Sequence, residues 1–91
     1  MPLTEKVEFT TQLQLGNRIQ VPRLIRWQYK LEPSQVLKIS VHTTRILVFR
    51  TFYGTMRKDG RITIPKLTLK LMNEDQEALI RQPLTVRLEP I

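Results

Sequence analysis

Apolar and polar residues alternate from Phe9 to Leu15, with Phe9, Thr11, Leu13 and Leu15 on one side and Thr10, Gln12 and Gln14 on the other. A period of two is that of a pleated strand with one buried face, so a strand is predicted here. It runs into Gly16 and Asn17, residue types that tolerate the positive φ of a tight hairpin turn. The chain then returns over 18–21, with Ile19 and Val21 inward and Arg18 and Gln20 outward. Pro22 stops that strand, because proline has no N–H to give to a ladder, and its fixed φ suits a first helical turn. A helix over 23–31 is expected, with Leu24, Ile25, Trp27 and Tyr29 toward the core and Arg23, Arg26 and Lys30 toward solvent. Glu32-Pro33-Ser34 ends it, and a third strand follows over 35–41.

The same punctuation recurs 43 positions later, where Asp59-Gly60 occupies the turn and Pro65 the stop. At that offset Phe9 falls on Phe52, Arg18 on Arg61, Ile19 on Ile62, Pro22 on Pro65 and Leu24 on Leu67. The stretches 36–41 and 83–88 match in pattern at an offset of 47. A tandem duplication accounts for this, and two copies are too few for a solenoid, so they should close on each other around a pseudo-twofold axis. In the second copy a strand is expected over 45–52 and another over 61–64. Residues 66–72 alternate Leu67, Leu69 and Leu71 like a strand, but they stand where the first copy has its helix, so a short turn or helix is preferred. Asn73 with Gln76 three residues on, and Arg81 in the last turn, mark a further helix over 73–81; the last strand is 84–88.

The fold expected is therefore one mainly β domain, halves 1–45 and 46–91. It would be a small closed six-stranded pseudo-twofold barrel with a short helix after each second strand. Closure removes the exposed edges that so few strands would otherwise carry. Swapped and direct hairpin connectivities bury the same faces, and both stay open.

Charge adds a partner class. Fifteen Lys and Arg against eight Asp and Glu leave a net charge of +7, which favours polyanions through a field that needs no sequence recognition. There are no cysteines, so disulfides and thiolate metal sites are excluded. The longest apolar run, 46–49, is far short of the ~20 residues of a membrane helix, and no signal-like apolar core opens the chain. A soluble cytoplasmic protein is expected.

Gly60-Arg61-Ile62-Thr63-Ile64-Pro65 resembles the GRxxIP signature of the AbrB, SpoVT and MazE-like DNA-binding domains. Val21-Pro22-Arg23-Leu24-Ile25-Arg26 and the stretch from Leu31 to Val36 resemble that family's helix and following turn, so that the likeness spans most of the chain. The resemblance implies a cradle-loop barrel, here with both halves in one chain as in its RIFT-type members. It further implies DNA contacts from the hairpin and helix start, which fall on Arg18, Arg23 and Arg26 in the first copy and on Arg61 and Lys66 in the second. The chain departs from the pattern at Arg57, where an acid is usual, at Asn17 for the glycine, at Ser34-Gln35 for Gly-Asp, and at Leu69 for the helix arginine. These departures bear on operator recognition more than on the barrel.

Read from the residues themselves, arginines on an exposed strand or helix can grip phosphates through paired hydrogen bonds. Arg18 and Arg61 are equally suited to holding a carboxylate or carbonyl near the turn. Arg57 and Lys58, beside the second turn, are expected to be free electrostatic contacts. Phe9, Trp27, Tyr29, Phe49 and Phe52 are assigned to the core, while Tyr53 beside Gly54 is exposed enough to stack on a base of a single strand. His42 is the only histidine and Asp59 and Asp75 the only aspartates, so catalytic triads and histidine-rich metal sites find little support. No loop has the glycines of a phosphate cradle. The expectation is a non-enzymatic, cofactor-free protein that binds nucleic acid, DNA more than RNA, with transcriptional regulation as its candidate role. The alternative is a protein-interaction module, for which the acidic run at 74–77 would serve.

Overall fold

The computed structural model describes residues 5–14, 16–43, 49–72 and 83–91. Among these residues six strands and two short helices follow in the order β1 (Val7–Gln12), β2 (Arg18–Gln20), α1 (Arg23–Gln28), β3 (Val36–Thr43), β4 (Arg50–Thr55), β5 (Arg61–Thr63), α2 (Lys66–Leu71) and β6 (Pro83–Pro90). Four strands form one antiparallel sheet in the order β1-β6-β3-β4, and β2 pairs with β5 in a separate ribbon. At 12.3 Å, the radius of gyration matches the ~12 Å of a compact chain of this length.

The ladders exchange into one another. Moving β1 onto β4 at the offset of 43 and β6 onto β3 at 47 turns the pair Val7↔Leu88 into Arg50↔Val41, a pair of the other ladder. Two residue pairs are their own counterparts: Ile19 faces Ile62, and Ser40 faces Arg87. The turns obey the same exchange. Gln14 N–H donates to the Arg18 carbonyl at 2.7 Å and Arg57 N–H to that of Arg61 at 2.8 Å; Val21 N–H reaches Gly60 O at 2.8 Å and Ile64 N–H reaches Asn17 O at 2.7 Å. The Gln14–Arg18 and Arg57–Arg61 bonds join the ribbon to the segments that follow β1 and β4, at two corners, and the other two extend the β2–β5 ribbon. Among the described residues no continuous ladder links the two sheets, so the expected barrel is present only as two open sheets meeting at corners.

Alternation sets what is buried. Val7, Phe9, Leu13, Ile19, Val21, Leu37, Ile39, Val41, Phe52, Met56, Ile62, Ile64, Leu84, Val86 and Leu88 make one core with Leu69 and Met72 of the second helix region. Full burial of such side chains stabilises by roughly 1.5–3 kcal/mol each. The one buried hydroxyl of the outer sheet positions, Ser40, bonds Thr51 across the ladder at 3.0 Å and is not left unsatisfied.

Several expectations are corrected. The first helix stops at Gln28, three residues early, because Lys30 takes a left-handed φ of 53° and turns the chain. Lys30 N–H then bonds Trp27 O and Leu31 N–H bonds Arg26 O, the double bond of a Schellman end. Leu24 and Trp27 face solvent, not the core: Ile25 and Tyr29 define the inward line of α1, and Trp27 lies on the opposite side at 100° per residue. Phe49 is half-buried on the outer side of the sheet, where its ring meets His42 edge to face at 4.2 Å and Arg87 lies over it at 4.2 Å. The helix expected over 73–81 and the first half of the strand expected over 45–52 lie outside the described residues; β4 carries the pattern on to Thr55. The alternating residues 66–72 form α2 after Pro65, as the match to Pro22 implied. Among the described residues no helix is long and apolar enough to cross a membrane.

Candidate nucleic-acid interface

The β2–β5 ribbon turns Ile19 and Ile62 inward, which directs the residues on either side of them outward. Arg18 stands opposite Thr63 and Gln20 opposite Arg61, so the two arginines sit diagonally across the ribbon, on one face. Arg61 is tethered. Its Nε donates to Gln20 Oε1 at 3.4 Å, its backbone N–H donates to Asp59 Oδ1 at 3.1 Å, and its guanidinium lies 3.9 Å from Asp59 Oδ2. Gln20 closes the group by donating to Asp59 O at 2.9 Å. Arg18 folds back toward its own turn, its Nε 3.1 Å from where a Cβ on Gly16 would stand. Each arginine thus braces a turn, and each remains half-exposed.

Pro22 and Pro65 set Arg23 and Lys66 at equivalent first positions of α1 and α2, both exposed. Arg57 and Lys58 are exposed in the turn after β4 and, with Asp59, Met56 and Pro33, line an open hollow of about 430 Å³. Arg26 is different: its guanidinium is laid on Gly60, where an added Cβ would lie 2.6 Å from Cζ, and its Nε is buried without a hydrogen-bond partner among the described residues. Gly60, at φ 86°, is needed there for both reasons. Asp59 lies within ion-pairing range of Arg61 and engages it. Arg18, Arg23, Arg61 and Lys66 are therefore brought into a twofold arrangement about Ile19 and Ile62, while Arg26, Arg57 and Lys58 load one side of it.

Sequence reasoning missed the outer face of α1. Trp27 is 78% exposed and Leu24 73%, and the Leu24 counterpart, Leu67, is 68% exposed. Trp27, Gln28 and Lys30 line a second hollow, of about 330 Å³. The signal was available in the helical phase set by Ile25 and Tyr29, which leaves Trp27 no inward direction. Tyr53 is 62% exposed, as expected, opposite Lys38 in the β3–β4 ladder. Among the described residues no group of three or more His, Cys, Asp or Glu is placed to hold a metal.

No protein-family model matches the chain, and no curated protein matches it. Its fold is similar to that of PHS018 from Pyrococcus horikoshii, known from a solution structure: the TM-score is 0.74, over 99% of this chain and 94% of that one, at 21% identity. At that identity the likeness is one of fold.

Proposed function

We propose that this is a non-catalytic, cytoplasmic nucleic-acid-binding protein that prefers DNA to RNA and serves as a transcriptional regulator. The observation that carries the reading is the twofold placement of Arg18 with Arg61 and of Arg23 with Lys66, on a chain of net charge +7. Cations repeated about an axis suit a backbone whose phosphates repeat, and Arg57, Lys58 and Arg26 add charge on one flank. The likeness of residues 60–65 to the AbrB, SpoVT and MazE-like signature supports the same reading. We further propose that the two sheets, which meet at two corners, belong to a barrel built from two homologous halves of a single domain, the architecture that the resemblance implies. No cofactor is called for.

The test is a titration of duplex DNA at several salt concentrations. Engagement of six phosphates makes the slope of log affinity against log salt roughly −5. Alanine at Arg18 and Arg61 together should lower that slope by about 2 units. A slope near zero overturns the proposal. The exposed leucines Leu24 and Leu67 favour one other reading, a protein-interaction module. Absence of retention on heparin, together with a stable oligomer in size exclusion, would select it.

A further inference from the structure

We infer that the outer face of α1 is a base-stacking platform for single-stranded nucleic acid, with Trp27 as the stacking ring, Lys30 as the phosphate contact and Gln28 as the base-edge contact. This rests on the nucleic-acid reading above and specifies a different form of the ligand from the duplex.

Three observations converge. An indole 78% out of the core on a surface helix buries little, yet tryptophan usually spends its area on packing. Beside it, Lys30 sits at φ 53°, a conformation that glycine adopts without strain and lysine does not. Glycine would end the helix with the same two hydrogen bonds, so the structure carries a strained cation next to an exposed ring. Third, Trp27, Gln28 and Lys30 line a common open hollow of about 330 Å³, which places the faces a nucleotide needs side by side. A flat π surface holds any base, an amide offers a donor and an acceptor to its edge, and an ammonium meets its phosphate. Charge favours a polyanion as the occupant: α1 contains Arg23 and Arg26 and no acid. The helix of the second half has no counterpart ring, since Lys70 stands at the Trp27 position.

Trp27 is the only tryptophan, so its emission reports this face alone. The intact protein is titrated with an eight-nucleotide oligothymidylate, with heparin and with duplex DNA, reading fluorescence and anisotropy together. Oligothymidylate should quench the emission in step with binding, whereas heparin should bind without comparable quenching. Trp27→Ala should weaken oligothymidylate by roughly 5- to 100-fold, and Trp27→Phe by much less, because phenylalanine keeps a π face. Lys30→Gly should raise the thermal midpoint while lowering oligothymidylate affinity severalfold. The ring is exposed, so thermal unfolding of both Trp27 variants should match the parent. Unchanged emission on binding, or equal affinity of Trp27→Ala and parent, overturns the stacking inference. If duplex binding then keeps its steep salt slope, the broader reading survives. Self-association that depends on Trp27, without quenching by the oligonucleotide, assigns the face to a protein and also overturns the inference.

Discussion

Among the described residues the two halves of the molecule share ladder register and turn hydrogen bonds, and they divide at one junction. In one, Arg26 of α1 lies on the bare backbone of Gly60; in the other, the counterpart of Arg26 is Leu69, which is buried, and that of Gly60 is Asn17. Both turn residues have positive φ, 86° and 59°. The backbone requirement is thus met twice, once by glycine and once by asparagine, which tolerates that region. Only the glycine leaves room for a guanidinium against the peptide. The chain therefore has one half with a charged, exposed face at Arg23, Trp27 and Lys30, and another whose helix contributes Leu69 to the core. Symmetry here belongs to the ladders, and function to the departures from it.

The largest test of that view uses the axis itself. Ile19→Ala and Ile62→Ala each remove a fully buried side chain from equivalent places, and each should cost about 4 kcal/mol in denaturant unfolding. Costs differing by more than about 2 kcal/mol would show that the halves are not energetically equivalent at their centre. Next, Leu69→Arg writes the first half's residue into the second, where no glycine receives it. A buried, unpaired charge should cost about 3 kcal/mol in the same assay, and a neutral result would mean the pocket already admits a guanidinium.

Gly60→Ala should cost about 2 kcal/mol, from the positive φ and from displacement of Arg26. In an Arg26→Ala background the penalty should shrink toward the φ contribution alone; an undiminished penalty in this double-mutant cycle would remove Arg26 from the account. Arg26→Leu copies the second half into the first and abolishes a buried unsatisfied Nε–H. Stability should rise by about 1 kcal/mol while duplex affinity falls. Smallest is Asp59→Asn: the Arg61–Asp59 pair spans 3.9 Å, with both side chains around half exposed, so stability should move by less than about 0.5 kcal/mol. Asparagine keeps an Oδ1 that can accept from Arg61 N–H, so a larger loss would mean that the carboxylate charge itself matters.

Much of this was open to reading in the residues. Period-two alternation, the prolines at 22 and 65 and the turn residues at 16–17 and 59–60 are local signals, and local signals locate strands and their ends. The repeat added the counterpart rule, which assigned α2 despite its strand-like leucines. The outer face of α1 escaped because composition counts Leu24 and Trp27 as core residues, whereas helical phase, anchored by Ile25 and Tyr29, excludes them from it. Phe49 escaped for another reason: its partners, His42 and Arg87, lie on strands paired through the sheet, a contact no spacing reveals.

Order along the chain was enough to place the strands and the two proline-started helices of the described residues and to suggest a duplicated plan, because backbone constraints act over a few residues. Which side chains end up neighbours across the copies was settled by packing. The diagonal of Arg18 and Arg61, the guanidinium on Gly60 and the outward tryptophan all depend on how two separate ladders meet. That meeting is governed by the close fit of one shared core, whose contacts join residues some forty positions apart.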